Sequence, residues 1–315
     1  ATALWDDRTL VRTWAMRGTL HLLRSADLGL YVGAQAASKP RYETAPWRKA
    51  FGMTSAEAVA VLDAIRTALD GPPLTRDELA DTVGELLGDA RLGEAVRGSF
   101  GTMPKLAALR GDVCSARPAG QRVRFTRPDL WLGSFAAVTP PRAALAGVMR
   151  RHLAVYGPST REEFARWFGM ASAAQAGREL QALGAEVAEV AIDGLHAGWM
   201  LAADVAEAAA ARPRGTVSLL PAFDQYVVAA PRVDSPVLAG EHSARVYRRQ
   251  GWLSPVLLVD GRIAGVWKHE HRHGTLTVEI DPFGDPGAEV RSQAAAEAAR
   301  LARYLGAEEL DVSWT

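Results

Sequence analysis

The chain has 315 residues, 48% of them hydrophobic and 23% charged, with 36 basic side chains against 36 acidic ones. At roughly 100–200 residues per domain this is a globular chain of two or three domains, each able to bury its own core. The single cysteine, Cys114, excludes a disulfide framework or a cysteine-cluster zinc site, and no apolar run approaches the roughly 20 residues that cross a bilayer, so a reducing cytoplasm is the expected setting.

In chain order, Asp6 to Met16 reads as the end of one element running into a strand, so the first module is expected to begin upstream of Ala1. Val11 to Leu23 has β-leaning residues around Arg17-Gly18, a hairpin or strand end; Ser25 to Ala37 reads as a helix, and Lys39 to Met53, rich in Pro, Gly and aromatics, as a loop. Thr54 and Glu57 have capping-box spacing, followed by Val59, Leu62, Ile65 and Leu69 at helical steps, and Gly71-Pro72-Pro73 ends that helix. A second capping box, Thr75 to Glu78, starts a short helix to Leu87. A turn, a basic helix from about Phe100 to Arg110, and two strands, Asp112–Ala116 and Arg122–Thr126, come next. That order is the order of a winged helix, a helix-turn-helix with a β wing.

The pattern then repeats. Helices are expected over Arg142–Tyr156, from Ser159 through Phe168 and over Ser172–Leu183, followed by a hairpin, Val187–Ile192 and His196–Leu201, turning at Asp193-Gly194. The two units open alike, GPPLTRDELADTVG against GPSTREEFARWFG, which points to an internal duplication. Ala202 to Pro213 is an alanine-rich helix or linker. The last hundred residues change character, with strands at Val217–Leu220, Trp252–Val259, Arg262–Trp267 and Thr275–Ile280, a helix over Gly287–Leu305 and a last strand over Glu309–Trp314. The fold class expected is therefore α+β, tandem winged-helix modules with a C-terminal α+β unit. The expected boundaries are 1–53 for the remainder of a first module and connector, 54–138, 139–206 and 207–315.

Charge is uneven along this chain. Arg97, Lys105, Arg110, Arg117, Arg122, Arg124 and Arg127 face one acid, Asp112, a net +6, whereas residues 277–315 carry eight acids against three arginines, a net −5. A neutral protein patterned this way is expected to have a basic face suited to phosphates. A solvated, merely uneven surface, and a genome that favours arginine over lysine (32 of the 36 basic residues), are the alternatives.

Four segments, RTWAMRGTLHLL (Arg12–Leu23), LLPAFDQYVV (Leu219–Val228), GWLSPVLLVDGRIAGVW (Gly251–Trp267) and LTVEIDPF (Leu276–Phe283), together resemble the bacterial winged-helix DNA glycosylases related to the azinomycin-resistance enzyme. The likeness covers essentially the whole chain. It implies three tandem winged helices forming a C-shaped body around duplex DNA, and excision of bulky alkylated purines, with crosslink unhooking in some members. It also implies a catalytic pair of glutamines, or glutamine and aspartate, one residue apart and upstream of RGTLH. That pair is expected to precede Ala1 or to be absent. Gln35-Ala36-Ala37 lies on the wrong side of the motif and lacks the second polar residue, so the role is not carried over to Gln35.

Beside the resemblance, the residues themselves offer candidates. Arg17 and His21, four apart, would share a strand face, Arg17 for a phosphate and His21 for the channel or the reaction; the alternative is a structural ion pair and a core histidine. Asp224, with Gln225 and Tyr226, follows a buried-looking run and is expected either to orient water or stabilise a developing cation, or instead to cap a turn or pair with an arginine. Arg248, Arg249, Lys268, His269 and His271 join Tyr226 and the seven cations above as expected DNA contacts. The alternating His269, His271 and His273 read as a hairpin tip, solvated or reaching toward DNA, rather than a metal site. No cofactor or metal is expected, and Gly98-Ser99-Phe100-Gly101 lacks a phosphate-loop lysine. The expected partner is double-stranded DNA, with no membrane. Several different DNA-facing modules in one chain suit a monomeric clamp, whereas a non-catalytic regulator, the rival reading, would be expected to dimerise at half-site spacing.

Overall fold

The computed structural model describes residues 1–37, 41–98, 102–133, 139–170, 172–191, 197–232 and 235–315. The Asp193-Gly194 turn, the 99–101 segment where the basic helix was expected to begin, and Lys39 fall outside them. The chain gathers into two compact units, one of Ala1–His152 with Phe164–Gly184, the other of Leu153–Glu163 with Ala185–Thr315.

The first unit opens with a hairpin, β1 (Leu10–Trp14) and β2 (Leu20–Arg24), registered Leu10 to Arg24 and Trp14 to Leu20. Val11 and Thr13 point inward at the period of two that a half-buried strand imposes. After helix α1 (Leu28–Ala36), the segment expected as a loop holds a helix, α2 (Ala45–Phe51). Pro46 sits in its first turn, where a missing N–H costs nothing, and Gly52 closes it with φ +59. The proline and glycine that read as breakers bracket a helix.

Helix α3 (Ser55–Ala68) and helix α4 (Arg76–Leu87) start at the expected capping boxes: Glu57 N–H donates to Thr54 Oγ1 at 3.1 Å while Thr54 N–H donates to Glu57 Oε2 at 2.8 Å, and Thr75 N–H donates to Glu78 Oε2 at 2.7 Å. Between them, β3 (Leu74–Thr75) pairs with a later strand. A second helix escaped the sequence reading, α5 (Ala90–Arg97), capped by Asp89, whose Oδ1 accepts from Arg91 N–H at 2.9 Å. It crosses α4 at Gly93, where a Cβ would lie 2.6 Å from the Ala80 carbonyl oxygen. Helix α6 (Thr102–Leu109) and the hairpin β4 (Cys114–Ala119) and β5 (Arg122–Thr126) complete a sheet of order β3-β5-β4 over a core of Leu62, Ile65, Leu79, Val83, Met103 and Phe125. Helix α7 (Pro128–Leu132) follows.

Helix α8 (Pro141–Tyr156) and helix α9 (Arg161–Phe168) contribute residues to both units. In the first, His152 is buried against Phe164 and Trp167, ring centroids 5.2 and 4.6 Å away, and helix α10 (Ala173–Gln181) is capped by Ser172. In the second, Thr160 and Glu163 cap α9 reciprocally, Thr160 N–H to Glu163 Oε2 at 2.7 Å. The box spans Thr160–Glu163, one residue later than Ser159-Thr160-Arg161-Glu162 suggested. Ser159 pairs with Trp199 of the hairpin β6 (Val187–Ala191) and β7 (Ala197–Leu201), as Leu74 and Thr75 pair with β5.

The rest of the second unit follows helix α11 (Val205–Ala210). It is a five-stranded sheet of order β12-β11-β10-β9-β8, formed by β8 (Val217–Leu220), β9 (Val256–Val259), β10 (Arg262–Arg272), β11 (Thr275–Pro282) and β12 (Glu309–Trp314). β11 and β12 are parallel, joined through helix α13 (Gly287–Leu305); the short helix α12 (Gln225–Ala229) precedes β9. Ala294, Ala298 and Ala302, four apart, bring α13 against Trp267, Leu276, Val278 and Ile280. Val227, Leu238, Val246, Leu253, Val256 and Ile263 form a further apolar cluster.

Burial, with the charge of Arg166 second, pushes the His152 pKa down to about 3. The unfolded chain therefore binds the proton more tightly than the folded one, and stability is full above about pH 6.5 and falls as the pH drops toward 3. Between about pH 6 and 5, above the carboxylate range, denaturation titrations should show His152 contributing a loss approaching about 1.4 kcal/mol per pH unit, so the slope in His152→Leu should be smaller by up to that amount.

Candidate nucleic-acid interface

The arginines of residues 97–127 decide how much of a basic face exists. Arg97, at the end of α5, meets Asp77 at 3.2 Å and pairs with Asp81 and Glu94. Arg110 lies 2.8 Å from Asp63 and 2.9 Å from Asp112, and the nearly buried Asp112 also accepts from Arg66 at 2.8 Å. Arg127 holds Asp129 at 3.0 Å and reaches Asp70; Arg117 pairs with Asp6. Arg124 donates twice to the Arg117 carbonyl, at 3.0 and 2.8 Å. The net +6 of the sequence is thus largely cancelled in the fold by carboxylates from elsewhere in the chain. Arg122, exposed on β5, and Lys105, half-buried on α6, have no ion pair among the described residues. With the charge of Arg124, that of Arg122 helps the Thr75 hydrogen bonds, which act first, to hold the Glu78 carboxyl below its ordinary pKa.

Arg122, Val123 and Phe125 of β5 line one wall of a cleft of about 750 Å³, whose other walls carry Arg12, Trp14 and Leu20 of the first hairpin and Arg97 with the acids of α4. Arg12 bridges to Ser115 at 3.2 Å, and Thr13 donates to the Val113 carbonyl at 2.9 Å, which fixes β1 beside β4.

Arg17 and His21 do not share a strand face. Arg17 lies in a turn at φ +60, its guanidinium donates to the Trp167 carbonyl near the end of α9, and its backbone packs against Gly169 at φ +89, where a Cβ would come within 2.9 Å. Its charge meets the negative end of a helix. His21, half-buried, sits with Nδ1 2.8 Å from the Thr19 carbonyl. Burial lowers its pKa below the ordinary histidine value, opposed by the Thr19 bond and assisted by the Arg17 charge.

In the second unit Asp224 is the N-cap of α12, its Oδ1 accepting from Tyr226 N–H at 2.9 Å, and Tyr226 donates its hydroxyl to the Gly261 carbonyl at 2.7 Å. Gln225 is exposed. Lys268 pairs with Glu279 at 2.9 Å; β10 runs past Trp267, so His269 and His271 sit in the strand itself, His269 against the Trp267 ring at 5.4 Å. His273 occupies the turn at φ +51. No group of three or more His, Cys, Asp or Glu among the described residues is placed to hold a metal ion, and burial pushes the Cys114 thiol up to about 12, far from a nucleophilic thiolate at neutral pH. Arg248 and Arg249 are exposed and without an ion pair among the described residues. Beside them lie two exposed rings that the sequence reading missed, Phe223 and Trp252, because apolar residues next to strands read as core.

The profile of the family described as DNA glycosylase AlkZ-like matches residues 1–304. The chain belongs to that family. It is 35% identical over 312 residues to an interstrand DNA cross-link repair glycosylase of Streptomyces sahachiroi, covering 97% of this chain and 82% of the relative. Its fold matches the solved structure of the Streptomyces sahachiroi DNA glycosylase AlkZ with a TM-score of 0.87 at 34% identity, over 98% of this chain and 82% of that one. The resemblance carried by RTWAMRGTLHLL and LLPAFDQYVV is borne out, as is a mixed α and β fold. No helix among the described residues of this AlkZ-like chain is long and apolar enough to cross a membrane.

The ion-pair pattern divides the arginines of this AlkZ-like glycosylase into two classes. Arg122→Gln should reduce the slope of log binding constant against log salt on duplex DNA by about 1 without changing the melting temperature. Arg97→Gln should leave the slope within error and lower the melting temperature, since it strands three carboxylates. Equal slopes for wild type and Arg122→Gln would remove the β4–β5 hairpin from the phosphates.

Proposed function

We propose that this protein is a monofunctional DNA glycosylase that binds duplex DNA as a monomer and hydrolyses the N-glycosidic bond of bulky alkylated purines, its relative's crosslink repair marking the lesion class. The observation that carries the reading is the match of family and fold along nearly the whole chain.

Tandem winged helices, with boundaries near 53, 138 and 206, are the reading of the fold that this function favours. Each of two segments repeats one arrangement: a reciprocally capped helix entered from a short bridge to the last strand of the following hairpin, Leu74–Thr75 on β5 and Ser159 on Trp199. In this reading β4–β5 and β6–β7 are the wings, and the β1–β2 hairpin is the wing of the first module.

The chemistry asks little of the protein's acids and bases. A purine alkylated at N7 or N3 is already cationic and leaves without further protonation. The protein must hold the damaged duplex, stabilise the oxocarbenium-like sugar and place a water on it. Neutral amides and carboxylates suffice, so this chemistry requires neither a lysine nucleophile nor a metal. The glutamine pair that the family resemblance implies is given to no residue of this sequence. Asp224 serves α12 as its cap, and asparagine caps equally well. If Asp224 also orients water, Asp224→Asn retains the fold and loses excision.

The full-length protein should release free alkylated base from duplex DNA carrying N7- or N3-alkylpurines, leaving abasic sites, at an undiminished rate in excess EDTA. Duplex binding with no base release from any such lesion would favour the non-catalytic binder instead.

A further inference from the structure

Two turns of the second unit meet edge to edge through aromatic rings. Phe223 and Trp252 stand 4.9 Å apart between centroids at 81°, a T-shaped pair, yet 45% and 53% of their surfaces face solvent. Large apolar groups exposed together on one patch mark a binding surface more often than an accident of composition. The backbone beneath them is unfavourable for ordinary residues: Phe223 and Gln250 both sit at φ +60. An aromatic residue in the left-handed region persists only where the surroundings enforce it, and here they do. The Asp224 cap holds the chain after Phe223, while the Arg248 N–H bond to the Trp252 carbonyl, at 2.8 Å, and the Tyr247–Leu253 bridge close the second turn.

That closed turn also sets the charge. Tyr247 and Leu253 pack against the core, so their neighbours Arg248 and Trp252, opposite one another in the turn, project together to the outside. Arg249 is exposed beside them, and neither arginine has an ion pair among the described residues. Asp224, next to Phe223 in sequence, has an oxygen engaged by its helix.

We propose that Phe223, Trp252, Arg248 and Arg249 form a stacking site for an unstacked nucleotide of the bound duplex, the rings receiving the base and the arginines the flanking phosphates. An edge-to-face pair leaves ring faces open, every base offers a π face, and the phosphate beside it supplies the anion the two arginines lack. An apolar protein partner would leave both cations unanswered. The site rests on the reading of this chain as a duplex-binding glycosylase, and it supplies what a bulky or crosslinked lesion presents, a base displaced from its stack.

The test uses the full chain and two fluorescent, undamaged duplexes of one sequence, identical except for a single unpaired nucleotide. Wild type should bind the bulged duplex more tightly, and the ratio of the two affinities should fall about ten-fold in Trp252→Ala and in Phe223→Gly, while Trp252→Phe keeps most of it. Phe223→Gly removes a ring from a backbone that suits glycine, so it folds at least as well as the parent. A bulge preference that survives both variants, or is absent in the wild type while intact duplex is bound and base is released, overturns the stacking site and leaves the glycosylase reading standing. Failure to bind either duplex overturns both.

Discussion

Pairing of arginines with carboxylates from distant parts of the chain is the constraint on which the first unit depends. Asp112, only 5% exposed, is held between Arg66 and Arg110, and Arg127 ties Asp70 to Asp129. A carboxylate removed from water without such partners is strongly destabilising. These pairs join α3, the turn before β3, the hairpin β4–β5 and α7, so they register the helices against the sheet. They also consume charge. A stretch that is strongly basic in sequence meets solvent with few unpaired cations, Arg122 and Lys105 among them.

The same economy appears around the RGTLH segment. Arg17 has the geometry of a phosphate ligand only on paper; its guanidinium is drawn to the carbonyl of Trp167, and Gly169 lets the two backbones approach. The segment that carries the family likeness therefore does structural work, seating the first hairpin on the end of α9. On the reading proposed above, nucleic acid meets the tip of β5, with Arg122 and Val123, in the first unit, and in the second unit the patch of Phe223, Arg248, Arg249 and Trp252.

Local chemistry was legible in the sequence, long-range chemistry was not. The capping boxes at Thr54 and Thr75 and the span of α13 follow from residues three or four apart, and the structure returns them as read. Helices α2 and α5 were missed because their punctuation, Pro46 with Gly52 and Gly88 with Asp89, resembles that of a loop. Which arginine meets which acid depends on tertiary packing: Arg117 and Asp6 are 111 positions apart. For Asp224 the structure returns the capping alternative, since a carboxylate before a short helix caps it whatever else it does. Phe223 and Trp252 carried no sequence signal of exposure; only the positive φ at Phe223 and the turn at Gln250 bring them out.

The central claim is that unpaired cations and exposed rings, not the sequence-basic stretch as a whole, meet the duplex. Hydrogen–deuterium exchange of the full-length protein with and without duplex DNA tests it most directly. The account predicts slowed exchange at the β4–β5 turn and at residues 222–225 and 248–252, with α5 and the end of α6 unchanged. Protection centred on α5 and Arg110, with the two turns unaffected, would contradict it.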